Sequence, residues 1–344
     1  MTVKAAIRAI ASHLPEATLD NEALAKEFAD WTPEKIFEKT GVRSRRIAAP
    51  DECSSDLGVR AAQKLFEQHG VRPDEIDYLL FCTQTPDYFL PTTACLMQDR
   101  LGLRTDCGAV DFNQGCSGFV YGLSLAKGLI ESGTAKNVLL VTAETYSKFI
   151  NARDRSVRTV FGDGAAATLI GGVESDDDLI GPFVFGTDGR GAANLIVPTG
   201  GMRRPITDDA RVEKEDAGNW RSEANLYMNG PEIFNFTLRT IPPAVNRLLA
   251  LSNVALNDVD YFVFHQANRF MLDRLRNKMA IPPEKFALEM ETCGNTVSST
   301  IPIALERSAA SGELRSRMRV MAVGFGVGYS WAAAMMRPAL GTSG

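Results

Sequence analysis

Asp74-Glu75-Ile76-Asp77-Tyr78-Leu79-Leu80-Phe81 is answered 183 residues later by Asn257-Asp258-Val259-Asp260-Tyr261-Phe262-Val263-Phe264. Each copy ends in a continuous apolar run, the pattern of a strand buried on both faces. Each follows a helix-like stretch, Leu57 to His69 and Ile233 to Leu251, and precedes a second one, Ala94 to Leu101 and Phe270 to Met279. A further match at nearly the same offset sets Lys136-Asn137-Val138-Leu139-Leu140-Val141-Thr142 beside Met318-Arg319-Val320-Met321-Ala322-Val323. The economical reading is a duplicated α/β chain, each half a sheet between helices. The halves are expected at 1–173 and 174–344. The acidic run Glu174-Ser175-Asp176-Asp177-Asp178 reads as a solvated linker. The polar stretch 198–230, with Trp220 inside it, is too long for a plain connection. It is read as a surface cap or lid, or equally as a mobile loop without a role.

Composition narrows the class of function. The 344 residues are 45% hydrophobic and 23% charged, ordinary for a globular enzyme. A net charge of −5 lacks the basic excess of a nucleic-acid binder. No apolar run reaches the length of a membrane span, and the N-terminus carries no signal-peptide pattern. The six cysteines are scattered without a C-x-x-C pair, which speaks against a disulfide framework or a zinc site. A cytoplasmic location is the expectation that follows.

Cys116 lies in Val110-Asp111-Phe112-Asn113-Gln114-Gly115-Cys116-Ser117-Gly118-Phe119, a strand, a glycine turn and a helix start. A helix N-terminus favours an anion and lowers a thiol's pKa from about 8.5 into the range of roughly 3.5–7.5. Most lone cysteines are small buried hydrophobes, so the case rests on partners. His265 is one of only three histidines and ends the second apolar run, the place where α/β proteins set their sites. Asn295 follows Gly294 in Cys293-Gly294-Asn295-Thr296-Val297-Ser298-Ser299-Thr300-Ile301-Pro302, a corner comparable to that of Cys116. The tail Gly324-Phe325-Gly326-Val327-Gly328 lets backbone come close to a ligand and present an N–H.

Cys116, His265 and Asn295 in these settings resemble the Cys-His-Asn triad of the β-ketoacyl-acyl-carrier-protein synthase III family, which has a thiolase-like fold. The resemblance begins at Lys39-Thr40-Gly41-Val42-Arg43-Ser44-Arg45-Arg46-Ile47-Ala48 and includes Phe161-Gly162-Asp163-Gly164-Ala165-Ala166-Ala167. It implies two duplicated α/β halves in an α-β-α-β-α core. It also implies acyl transfer from a thioester primer to Cys116, followed by decarboxylative Claisen condensation with a malonyl thioester. Cys116 and Val327 would supply the oxyanion hole, while His265 and Asn295 would face the enolate. No metal and no bound cofactor is implied; coenzyme A and phosphopantetheine thioesters are substrates. The implied partners are acyl carrier protein, an acyl-CoA or acyl-ACP primer, malonyl-ACP and a second copy in a homodimer.

Other positions carry over by the same resemblance. Arg155 matches an arginine at the nucleotide end of coenzyme A, and Gly230, Phe234, Ala267 and Asn268 match the pantetheine channel. Phe89 and Leu90 lie in the loop that reaches the partner's acyl pocket, where Leu90 takes a gate position that is often Phe and would admit a longer or branched primer. Lys35, Lys39, Arg155, Arg158 and Arg269 are candidates for an acidic carrier protein. The chain departs from the family pattern at Lys35, where a tryptophan is usual and Trp31 is the nearest, and at Phe270, where an arginine is usual. These changes suit a specialised, secondary-pathway member. The alternatives are an acyltransferase acting on oxygen or nitrogen, a polyketide or hydroxymethylglutaryl relative, and a non-catalytic chain-length partner; an intact Asn295, the match around Gly41 and Phe161, and Cys116 speak against them in turn.

Overall fold

The structure is a computed structural model that describes residues 2–28 and 30–340. Its first sheet contains β1 (Thr2–His13), β2 (Tyr78–Cys82), β3 (Gly108–Phe112), β4 (Asn137–Glu144) and β5 (Gly164–Ser175), in the order β1-β5-β4-β2-β3. The second contains β6 (Ile180–Thr187), β7 (Tyr261–Phe264), β8 (Val320–Gly326) and β9 (Ser330–Met336), in the order β6-β9-β8-β7. In the first sheet β3, β2 and β4 run parallel while β5 and β1 pair antiparallel; in the second β7 and β8 run parallel while β9 and β6 pair antiparallel. The second sheet keeps a trace of a fifth strand in the single bridge between Phe262 and Phe286.

Helices α1 (Ser54–His69) and α2 (Thr93–Arg100) cover the outer face of the first sheet, and α4 (Gly230–Ser252) and α5 (Arg269–Lys278) that of the second. Between the sheets lie α3 (Gly118–Glu131) and α6 (Thr300–Ala310). Strand alternation sorts the repeat into these layers. Leu79 and Phe81 face the outer core and Leu80 the middle one. Tyr261 and Val263 face the middle and Phe262 and Phe264 the far side. All are buried, which is why the runs are continuously apolar.

The repeated aspartates act alike. The Asp77 carboxylate accepts from the backbone N–H groups of Lys136 (2.8 Å) and Asn137 (3.0 Å), and Asp260 accepts from that of Arg319 at 2.7 Å. Each ties the start of the neighbouring parallel strand.

The acidic run differs from its reading as a linker. Glu174 and Ser175 belong to β5, where Ser175 pairs with Thr2, and Asp178 bonds Lys4 at 2.6 Å. The 198–230 stretch is built rather than loose. Tyr227–Met228 pairs with Leu195–Ile196, and a hairpin of Lys214–Asp216 with Asn219–Arg221 leans on the 153–155 segment. There Arg153 lies 4.4 Å above the Trp220 ring and Arg155 Nη2 donates to Ala217 O at 3.5 Å.

Replacing Asp77 with Ala removes two backbone N–H bonds and a half-exposed bond from Arg104, and should cost about 2 kcal/mol. Asp260→Ala removes one and should cost less. Urea midpoints of the two variants check the order; equal losses would contradict it.

Candidate active site

Cys116 sits two residues before α3, on the corner that follows β3. Strand β8 passes directly over it. A Cβ on Gly324 would fall 2.7 Å from Cys116 O, and one on Gly326 would fall 3.0 Å from Cys116 Sγ. The same strand holds the histidine, since His265 N donates to Val323 O at 2.8 Å. One strand therefore carries the first-half nucleophile and the second-half imidazole to one place.

The second corner closes a ring. Asn295 Oδ1 accepts from Val297 N at 2.9 Å, and Nδ2 donates to Ala267 O at 3.4 Å. Ala267 N donates to His265 O at 2.9 Å, and His265 Nδ1 lies 2.8 Å from Thr300 Oγ1. Thr300 Oγ1 is in turn 2.9 Å from Val297 O. Gly294 makes this turn possible with a φ of +72°, and a Cβ there would meet Val160 O at 2.8 Å. The Thr300 hydroxyl has one proton for two acceptors. Given to Nδ1, it leaves the neutral ring's hydrogen on Nε2; given to Val297 O, it leaves Nε2 as an acceptor.

The site is dry. Cys116, His265 and Asn295 are 4%, 2% and 4% exposed. Burial pushes the His265 imidazole down to about 3, so it is neutral at physiological pH. Burial, and secondarily the nearby Glu144, push the Cys116 thiol up, while the backbone N–H groups of Cys116 and Val327 pull the other way. The expected lowered thiol is thus not found: the backbone donors of Cys116 and Val327 are outweighed by loss of solvent.

Glu144 is a feature that sequence reasoning missed. It is fully buried at the end of β4, accepts from Ser298 Oγ at 2.8 Å and Gln84 N at 3.0 Å, and is pushed up to about 8 by burial. Its signal was faint, a single acid ending an apolar strand. Thr300 was visible only as one of several small residues at the start of α6. Asp163, within the Phe161–Ala167 motif, accepts from Ala48 N (2.8 Å) and Ser147 N (2.9 Å), joining two of the quoted motifs.

Among the outlying candidates, Lys35, Lys39 and Arg155 gather around Trp31, at 5.7, 4.7 and 5.9 Å from its ring. Arg269 packs on Gly41 and lies 3.7 Å from Asp273. Arg158 is engaged by Glu27 and by Ala152 O. Gly230 opens α4, Phe234 stacks on Phe270 at 5.5 Å, and Asn268 caps α5 by accepting from Met271 N at 2.8 Å. Phe89 and Leu90 are both 81% exposed. Among the described residues no helix is long and apolar enough to cross a membrane.

Two family models match the chain, 3-oxoacyl-[acyl-carrier-protein (ACP)] synthase III over residues 110–189 and its C-terminal counterpart over 249–338. A β-ketoacyl-[acyl-carrier-protein] synthase III of Clostridium perfringens is 37% identical over 325 residues, 94% of this chain and 96% of that one. The chain belongs to the β-ketoacyl-acyl-carrier-protein synthase III family. A crystal structure of a 3-oxoacyl-(acyl-carrier-protein) synthase III superposes with a TM-score of 0.96 at 57% identity, covering 97% of this chain and 99% of its own. A 3-oxoacyl-(acyl-carrier protein) synthase from Burkholderia xenovorans LB400 gives 0.90 at 38%, covering 99% and 95%. This synthase III is accordingly a thiolase-fold condensing acyltransferase, as its motifs implied.

The neutral His265 makes a stability prediction. Its folded pKa lies below the unfolded value of 6.5, so only the unfolded chain gains a proton as pH falls from about 6.5 towards 3. Stability contributed at neutral pH is lost across that window, by about 1 kcal/mol between pH 6 and 5. Denaturant titrations of the protein and His265→Gln at the two pH values should differ by that amount, and identical pH slopes would reject it.

Proposed function

We propose that the synthase III loads an acyl group from an acyl-CoA or acyl-ACP primer onto Cys116 and condenses it with malonyl-ACP. The Cys116 thiol attacks the thioester carbonyl, the C–S bond to the pantetheine sulfur breaks, and the thiol proton passes to that departing sulfur. The oxyanion lies against the backbone N–H groups of Cys116 and Val327, the two donors that face the Cys116 sulfur. Malonyl thioester then loses carbon dioxide. The electrons of the broken C–C bond enter an enolate whose oxygen is held by His265 Nε2–H and Asn295 Nδ2–H. The enolate carbon attacks the acyl-enzyme, a C–C bond forms, and the Cys116 sulfur leaves.

One observation carries this reading: the hydrogen-bonded ring through His265, Ala267, Asn295, Val297 and Thr300. It turns the Asn295 amide so that Nδ2, with one N–H on Ala267 O, keeps its second N–H for a ligand. It also sets a hydroxyl beside Nδ1 of a neutral histidine, and Nε2 carries the proton when Thr300 donates to Nδ1 rather than to Val297 O. Neither role asks for a metal or a bound cofactor.

The surrounding assignments belong to the same proposal. Gly230, Phe234, Ala267 and Asn268 border the pantetheine arm, and Arg155 its nucleotide end. Lys35, Lys39 and Arg269 form the carrier-protein face; Arg158 joins it only at the expense of its pair with Glu27. Two apolar side chains as exposed as Phe89 and Leu90 fit a homodimer in which each copy buries the other's loop. The two halves meet near residue 173, and 198–230 caps the second. A reducing cytoplasm suits the six free thiols.

Intact-mass measurement after incubation with acyl thioesters should show one acyl adduct on the protein and none on Cys116→Ala; an adduct on that variant would overturn the proposal. Asn295→Asp and His265→Ala should still load the primer but lose about 100-fold or more in malonyl decarboxylation. Arg269→Glu should raise KM for malonyl carrier protein, and an unchanged KM removes Arg269 from the docking face.

A further inference from the structure

A cavity of about 1360 Å³ lies beside the site, under the 199–228 cap. Its walls include the apolar Leu195, Val197 and Leu226, and at its inner end Gln84, Tyr146 and Val327. Cys116, His265 and Asn295 are not among its wall residues. The nucleophile and the cavity are neighbours with a partition between them.

The partition has an address. A Cβ on Gly115, the residue before the nucleophile, would fall 2.6 Å from Gln84 Oε1 and 2.5 Å from Val327 Cγ1. The Gln84 side chain therefore lies against the peptide that carries Cys116. The Tyr146 hydroxyl donates to Gln84 Oε1 at 2.6 Å, and Gln84 Nε2 donates to Asn113 Oδ1 at 3.2 Å. The Gln84 main chain is held separately, its N–H donating to Glu144 at 3.0 Å. Backbone and side chain are thus anchored by different partners: turning the amide aside breaks its bonds to Tyr146 and Asn113 and leaves the main-chain bond to Glu144.

We propose that the Gln84 amide, latched by the Tyr146 hydroxyl, is a gate between Cys116 and this cavity, and that the open gate makes the cavity the seat of a long acyl chain carried on Cys116. The inference rests on the proposed reading that Cys116 is the acylated residue. A short acyl group never reaches the partition. A long one gains transfer free energy for each methylene it buries beyond it, and the two hydrogen bonds of the Gln84 amide together match roughly two to four such methylenes. Length of the primer, rather than the gate alone, then decides whether the latch opens. Leu90, expected to set this limit, does not line the cavity within one chain; Phe89 does.

The test is the rate of Cys116 acylation by acetyl, octanoyl and dodecanoyl thioesters of coenzyme A and of carrier protein, with the dodecanoyl-to-acetyl ratio taken within each carrier. Gln84→Ala should raise that ratio at least about tenfold. Tyr146→Phe should raise it by less, and Val197→Trp, which fills the cavity, should lower it. Circular dichroism on each variant separates misfolding from a changed ratio, and any one folded variant suffices. Acetyl loading with a ratio unmoved by the variants would overturn the gate alone. Failure of every thioester to acylate Cys116 would overturn the proposed function as well.

Discussion

The site depends on how closely β8 passes over the peptide of the nucleophile. A side chain at Gly324 would collide with the Cys116–Ser117 backbone, and one at Gly326 would crowd the Cys116 side chain. That contact joins the halves where chemistry is needed: Cys116 from the first is pressed against a strand of the second, whose Val323 also holds His265. The middle layer of α3 and α6, both packed between the sheets, sets the distance at which this can happen. Glu144 adds a polar tie across the same seam, binding Ser298 of one half and Gln84 of the other.

Dryness is the second theme. Three ionisable groups are all displaced towards their uncharged forms: His265 downward, Cys116 and Glu144 upward, each chiefly by burial. A neutral site suits thioester exchange followed by enolate formation, because the charge that develops belongs to the substrate oxygen. Fixed N–H donors then meet it without competing water. The Cys116 sulfur meets two such donors while its own ionisation is disfavoured, so the site favours a charge that arrives with the substrate.

The duplicated plan was readable because two physical demands leave sequence traces. A strand buried on both faces must be apolar throughout, as at Leu79–Phe81 and Phe262–Phe264. An aspartate that ties the next strand's N–H groups must recur with it, as Asp77 and Asp260 do. The candidate triad was readable for a related reason, since Gly-rich corners and strand ends are few. Other features left no such trace. Thr300 touches His265 across 35 residues, and its hydroxyl looks like any helix-start threonine. Gln84 and Tyr146 meet across 62 residues, and neither lies in a motif.

The amino-acid order by itself determined the two α/β halves, the apolar strands, and the identity of the cysteine, histidine and asparagine. Local rules govern those features: side-chain period, turn chemistry and residue type. Only the tertiary structure decided the state of the thiol, the ring that turns Asn295 and His265, and the partition at Gln84. Burial and long-range contacts govern these, and they exist only once both sheets are packed. The helix end at Cys116 promised a lowered thiol pKa; the surrounding core, invisible along the chain, outweighed it.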